Sequence, residues 1–466
     1  MGDDYQQKSL AFVHWLQRNE SATISPKIEI ADLRARGAGR GIVATEDIEE
    51  NEELFAIPHP AVLSVKNSDL QNHLPNELDE LDPWMSLVVV MIYESGQGDR
   101  SRWWPYWNVL PEKFDTLIYW SPSELAKLQG SAVLHKIGLD AANQTFIDSL
   151  LPIVQKHPKG FGEYAPLFEG PDAKVHLLRI AHRMASLVMA YAFDLEREVI
   201  EADADEDGFL SDDDENMPKG MVPLADMLNA DGEDKTNARL EHGADMLTMV
   251  ALKPIRKGEE IFNDHGPLPR SDLLRRYGYV TDNYKKYDVV ELRSGTVVQL
   301  AAEHSQLQVA ERDTRLEGLE RHKVLEEGYD ITRQPIDKYW FDEALLSLIN
   351  GLTMDANSFK ALIIANKPPK PQANRAVISV LGKAIRSRQN DYATSIAEDN
   401  VLLQDPEIQG RRRMAVEVRL GEKQILRAAL ASIDRRMASF TEDAMTRDEP
   451  PSKKAKTFQT SSGRKR

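Results

Sequence analysis

The chain has 466 residues, 41% hydrophobic and 29% charged, with no cysteine and a formal net charge of −17. That length allows two or three domains with a sizeable core, and the lack of cysteine excludes disulfide frameworks and thiolate-held zinc. The negative charge argues against direct nucleic-acid or membrane-surface binding and favours a basic protein partner; held in flexible loops, it would serve solubility alone.

No apolar run is long enough to span a membrane, and the opening MGDDYQQKSL lacks the apolar stretch of a signal peptide. Gln6 stands where N-myristoylation needs Ser or Thr. A soluble intracellular protein, active as a monomer, is expected. Within an N-terminal segment 1–21, residues 9–18 carry Leu10, Val13, Trp15 and Leu16 at near-helical spacing. Residues 28–65 then alternate and turn, and Ile28–Ile30, Ile42–Val43 and Leu54–Ile57 read as strands. Between the first two lies Gly37-Ala38-Gly39-Arg40-Gly41. Such a cluster fits either a tight hairpin or close approach of backbone to a ligand. No clean dinucleotide fingerprint is present.

Residues 66–200 are mostly helical in pattern. Residues 84–94 predict a buried helix, 101–120 a packed aromatic loop, 121–130 a capped helix and 175–196 a long helix with a thick apolar stripe. His176 and His182 share no helix face well, no HExxH occurs, and no metal site is expected. Trp84 and Tyr191 read as core residues on pattern alone. Residues 201–219 form an acidic low-complexity block, either a solvated disordered loop or an electrostatic guide for a basic substrate. Residues 281–302 predict a strand pair leading into a helical domain over 291–445. The tail 446–466 carries Lys453, Lys454 and Lys456 and then Arg464, Lys465 and Arg466. That spacing suits either a two-part nuclear import signal or a plain disordered tail.

The most informative stretch runs from Met221 to Val280, where polar residues sit between apolar runs. It includes PLADMLNAD (223–231), Asn237-Ala238, MVA (249–251), GEEIFN (258–263), Gly266, LLR (273–275) and YGY (277–279). This ordered set resembles the C-terminal half of a SET-domain lysine methyltransferase, in the branch that contains the Rubisco large-subunit methyltransferase and the ribosomal-protein lysine methyltransferases. Asn229-Ala230-Asp231 with the acidic insertion is most similar to the fungal ribosomal-protein enzymes.

The resemblance implies an α+β SET fold over 22–290. It would have small sheets, a helical insertion over about 66–200 and a knot-like C-terminal segment, followed by an all-α substrate-binding domain. It implies S-adenosylmethionine as cofactor, with Ala38, Gly39, Arg40, Tyr191, Asn229, Ala230 and Tyr287 beside it. Tyr277 would be the catalytic tyrosine, and Trp84 and His265 would line the substrate channel. The substrate would be a lysine of a basic protein, a large-subunit ribosomal protein foremost, and the location nuclear. The sequence departs from the family at two places. Ala230 replaces a histidine and His265 a tyrosine, so a SET scaffold that has lost catalysis and serves as a binding module stands as an alternative. So does a methyltransferase with a histone or transcription-factor substrate.

Overall fold

The computed structural model describes residues 2–195, 217–332 and 341–447. The acidic block 201–219 lies outside these residues except for its last three, and the basic tail 446–466 except for its first two. By internal contacts the chain forms two units: Met1–Asp288 with Asn400–Arg419, and Val289–Asp399 with the chain from Leu420 onward.

The first unit is built on small sheets. Thr23–Ile24, Glu53–Pro58, Met246–Ala251 and Ala238–His242 lie in that order in one antiparallel sheet. Ile28–Asp32, Arg40–Ala44, Glu260–Asn263 and Asn229–Ala230 make another, whose last pair is parallel. Alternation sets the register: Ile30 lies opposite Ile42, and Ile42 opposite Ile261. Asn237 ties the last strands together. Its side chain donates to the Glu260 carbonyl at 2.9 Å and accepts from the Phe262 amide at 2.7 Å. A short third sheet orders Leu63–Ser64, Lys219–Met221 and Ala192–Asp194.

The first helix spans Gly2–Arg18, further than its sequence pattern indicates. Its buried apolar side chains are Phe12, Trp15 and Leu16, whereas Leu10 is 55% exposed, so the apolar stripe lies off the line drawn through Leu10 and Val13. In the insertion, Pro83–Gln97 is a helix buried continuously from Met85 to Ile92. Asp82 caps it by accepting from the Met85 amide, with Pro83 in the first turn, where a missing N–H costs nothing. The long helix Ala173–Tyr191 ends earlier than its apolar pattern, because Ala192–Asp194 is taken into the third sheet.

Two expectations about the boundary are corrected. Residues 400–419 belong to the first unit rather than to a helical domain running unbroken to 445. Arg411 donates to the Tyr119 carbonyl at 2.9 Å and to the carboxylates of Asp115 and Glu124, while Ala415 and Val418 share an apolar cluster with Leu117, Trp120 and Leu274. Residues 281–302 form no strand pair. Asp282–Tyr287 is a 3-10 turn and Val289–Arg293 a strand, while Ser294–Ser305 is helical despite Val297 and Val298. Val297 is fully buried, and its packing outweighs its β preference.

In the second unit Val289–Arg293 pairs antiparallel with Gly328–Thr332, so a two-stranded ribbon accompanies the helices. The helices Ser294–Ser305, Glu343–Thr353 and Arg375–Gln389 bury Val297, Leu345, Leu348, Val377 and Leu381 in one core. Asp342 and Asn374 cap the last two. Among the described residues no helix is long and apolar enough to cross a membrane.

Candidate active site

The site is assembled where the two ends of the Met221–Val280 stretch meet the glycine-rich turn. Leu33 pairs with Gly39 across the turn, and Gly37 takes a left-handed φ of 80°. Beyond it the Arg40–Ala44 strand runs beside Glu260–Asn263. Gly41 is the sterically demanding position. A Cβ there would lie 2.4 Å from Leu33 Cδ1, 2.9 Å from Asn229 Nδ2 and 3.0 Å from Glu260 Oε1. The bare backbone lets Asn229 donate to Glu260 Oε1 at 2.7 Å and to the Arg40 carbonyl at 3.3 Å. Space opens at Gly39, where the nearest atom to an added Cβ is the Tyr5 hydroxyl, 3.9 Å away.

Tyr277 is the last residue of the helix Arg270–Tyr277. That helix is anchored at its start by Arg270, 3% exposed, whose guanidinium forks onto Asp288 at 2.7 and 3.1 Å. Leu273 and Leu274 are fully buried beneath it. At its end Gly278 adopts φ 80° and passes so close to Asp115 and Thr116 that a Cβ would lie 2.8 Å from their backbone atoms. Only glycine meets both demands. The Tyr-Gly pair is therefore a fixed corner that holds the Tyr277 ring in place.

The Tyr277 ring stacks on His265, centroids 3.6 Å apart, and Tyr279 lies 6.3 Å from the same imidazole. Tyr279 donates its hydroxyl to the Ala230 carbonyl at 2.8 Å. Tyr284 donates to Asp264 at 3.0 Å and accepts from the His265 amide at 3.3 Å. Asp231 holds the facing loop, accepting from Thr281 and Asn283 at 2.8 Å each. Burial raises the Tyr277, Tyr279 and Tyr284 phenols, so all three stay protonated at neutral pH. Burial pushes the His265 imidazole down to about 4, against a smaller opposing pull from Asp264. A histidine placed here carries no charge near neutrality, although its free side chain would titrate there. The Tyr277 hydroxyl makes no hydrogen bond among the described residues.

A second buried cluster joins the first helix, the aromatic loop and the Asp226 segment. Tyr106 donates its hydroxyl to Asp226 Oδ2 and stacks on Phe12, with centroids 5.7 Å apart. Asp226 Oδ1 is buried and has no partner among the described residues. Burial raises this carboxyl to about 8. Tyr191, partly buried beside it, is pushed up to about 12, first by burial and then by the Asp226 charge.

The structure brings Asn229 directly against the Gly37–Gly41 turn, and Tyr279, with its hydroxyl on Ala230 and its ring near His265, links that corner to the His265–Tyr277 stack. Tyr191 joins through the Asp226 cluster. Arg40 enters with its carbonyl, while its guanidinium faces the first helix. Tyr287 lies at the rim, 6.2 Å from Tyr284, with its hydroxyl on Glu233. Trp84 stacks on Phe146 in the insertion and makes no ring contact with Tyr277 or His265. Sequence reasoning gave no role to Tyr279, Tyr284, Tyr106 or Asp226. The tyrosine density of YGYVTDNYKKY was the available signal for the first two. Among the described residues no group of three His, Cys, Asp or Glu could hold a metal ion.

The open backbone at Gly39 and the uncharged ring faces of His265 and Tyr277 outline a candidate group-transfer site. Comparisons with known proteins say of which kind. A family described as SET domain matches residues 39–266, and one described as Rubisco LSMT substrate-binding matches residues 310–426. The chain is 34% identical to ribosomal lysine N-methyltransferase 4 of Saccharomyces cerevisiae over 360 residues, 74% of this chain and 71% of that one. It is 30% identical to the human N-lysine methyltransferase SETD6 over 446 residues, 88% of each. Among solved structures, the SET domain of LSMT bound to lysine and AdoHcy superposes with a TM-score of 0.69 at 19% identity, over 94% of this chain and 93% of that one. Rubisco LSMT bound to AdoMet gives 0.68 at 19% identity, over 95% and 96%.

The chain belongs to the SET-domain protein-lysine methyltransferases and carries the Rubisco LSMT type of substrate-binding domain. It is an S-adenosylmethionine-dependent protein-lysine N-methyltransferase.

Proposed function

We propose that this enzyme methylates a lysine of a basic large-subunit ribosomal protein, that it works as a monomer, and that the tail clusters at 453–456 and 464–466 direct it to the nucleus. The observation that carries the substrate is the likeness to the yeast ribosomal enzyme. The net charge of −17 agrees with a basic target. A second reading keeps the chemistry and moves the target to a non-ribosomal protein such as a histone or transcription factor. It is favoured by the fuller coverage of both chains in the match to human SETD6.

S-adenosylmethionine supplies the transferable methyl group. The residues of this chain prepare the amine. A free lysine, with a pKa of about 10.4, is neutral at pH 7 to only a few parts in ten thousand, a shortfall of roughly 4–5 kcal/mol. A channel walled by the Tyr277, Tyr279 and His265 rings disfavours the ammonium by excluding water, and neutral His265 adds no charge to the wall. Tyr279 and Tyr284 have their hydroxyls engaged on Ala230 and Asp264. That leaves the Tyr277 oxygen to accept from the amine and hold its lone pair in line. Asn229 would hold the amino-acid end of the cofactor, and the Ala38–Arg40 backbone would lie along it. The second unit grips the protein substrate.

The test is transfer of a tritiated methyl group to ribosomal proteins purified from a strain lacking this enzyme. One labelled large-subunit band supports the reading. Label on histones or on a different soluble protein, with none on ribosomal proteins, overturns the substrate and keeps the chemistry. Nuclear location is tested by following a fluorescent fusion with and without residues 448–466.

A further inference from the structure

Arg40 belongs to two places at once. Its carbonyl accepts from Asn229, and its side chain reaches the first helix. The guanidinium donates to Ser9 Oγ at 3.0 Å, to the Val109 carbonyl at 2.9 Å and to the Tyr5 carbonyl at 3.3 Å. Its plane also covers the Tyr5 ring at 3.7 Å. Arg34, on the near side of the same turn, stands over that ring at 4.0 Å. One phenol is thus flanked by the two arginines that bracket Gly37–Gly39. Two guanidinium groups so placed would repel, but Asp32 takes Arg34 in a fork at 2.6 and 2.9 Å and offsets its charge. The Tyr5 hydroxyl lies over Gly39, 3.9 Å from where a Cβ would stand.

A glycine-rich turn has many conformations, and ordering one on binding costs affinity. Backbone hydrogen bonds close the turn, from the Leu33 amide to Gly39 and from the Gly37 amide to Arg34, but little packs on its outer face: neither Gly37 nor Gly39 would bring a Cβ within van der Waals reach of anything nearer than the Tyr5 hydroxyl. The outside hold comes from Tyr5 and Ser9 of the first helix together with the Val109 carbonyl.

We propose that Tyr5 and Arg40 are positioning residues for the cofactor, and that the first helix is a working part of the site. Arg40 fixes the turn from outside while presenting its carbonyl to Asn229 inside. Tyr5 sets the spacing between the two arginines and roofs Gly39. The inference rests on the Ala38–Arg40 turn being the cofactor wall.

The experiment is calorimetric binding of S-adenosylhomocysteine to the full-length wild type and to Tyr5→Phe, Tyr5→Ala and Arg40→Lys. Cofactor-free melting temperatures and KM for the protein substrate are measured alongside. Tyr5→Ala and Arg40→Lys are expected to weaken binding about tenfold, leaving protein-substrate KM unchanged and melting within a few degrees. Tyr5→Phe keeps the ring and is expected to bind within about threefold of wild type. Unchanged binding in Tyr5→Ala and Arg40→Lys overturns the proposal. So does a parallel loss of melting temperature and of both affinities, which a merely structural contact would give. If wild type itself bound no S-adenosylhomocysteine, the cofactor wall would be misassigned and the proposal would fall with it.

Discussion

His265 and Tyr277 lie face to face, their ring centroids 3.6 Å apart and their planes 15° from parallel. The imidazole fills the place where the family pattern has a tyrosine and backs the ring that carries the free hydroxyl. Burial pushes it down to about 4, so it is neutral near pH 7. Between its ordinary value of about 6.5 and 4, the unfolded chain takes up a proton that the folded chain refuses. Stability is therefore full above about pH 6.5 and is lost as pH falls. Between pH 7 and pH 4 wild type is expected to lose about 1–3 kcal/mol more than His265→Phe, read from urea midpoints. The pH–rate profile is expected to show no His265 inflection above pH 5.

Asp226 should have the opposite sign. Its folded value is raised to about 8 against an ordinary value near 3.9. As pH rises through that window the unfolded chain releases a proton that the folded chain keeps, so stability falls with rising pH. Asp226→Asn keeps an oxygen to accept from Tyr106. It is expected to gain on wild type by more than about 1 kcal/mol between pH 5 and pH 8.5. Parallel curves for the two proteins would contradict this.

Gly41→Ala places a methyl against Asn229, Glu260 and Leu33 at once. The carbonyl and carboxylate that hold Asn229 must move apart. We expect S-adenosylhomocysteine affinity to fall by about tenfold or more and the melting temperature by several degrees. Gly37→Ala would report a different cost, since only its backbone conformation objects.

Arg270→Ala leaves Asp288, 5% exposed, without its principal cation. The cost is expected at about 3–5 kcal/mol, because removing one member of a buried ion pair takes away the charge that compensates the other. Arg270→Ala should also lower kcat through the helix that ends at Tyr277, while a surface ion pair such as Arg239–Glu241 should cost below about 1 kcal/mol.

Much of this was legible in the sequence. The strand alternation at Ile28–Ile30, the capped Ser121-Pro122 start and the ordered Asn229, Asn237 and Tyr277 motifs are local signals, and the structure keeps the elements they mark. The family that these motifs resemble is the one the chain belongs to. What was not legible depends on distant partners. Residues 414–419 read as part of one helical stretch running on to 437, and only the meeting of Arg411 with Asp115 and Glu124 shows which unit the start of that helix joins. Val297 and Val298 read as strand until the core that buries Val297 is in view. The Arg40 side chain faces Tyr5, which lies in a stretch of sequence with no motif at all.

The central claim is that the free Tyr277 hydroxyl holds the lysine amine for methyl transfer. Single-turnover transfer from labelled S-adenosylmethionine to the protein substrate, wild type beside Tyr277→Phe, tests it most directly. The ring and its stacking on His265 remain, so cofactor binding and melting temperature should be unchanged while the rate falls about 10²-fold or more. A Tyr277→Phe enzyme that transferred methyl at the wild-type rate would contradict the account.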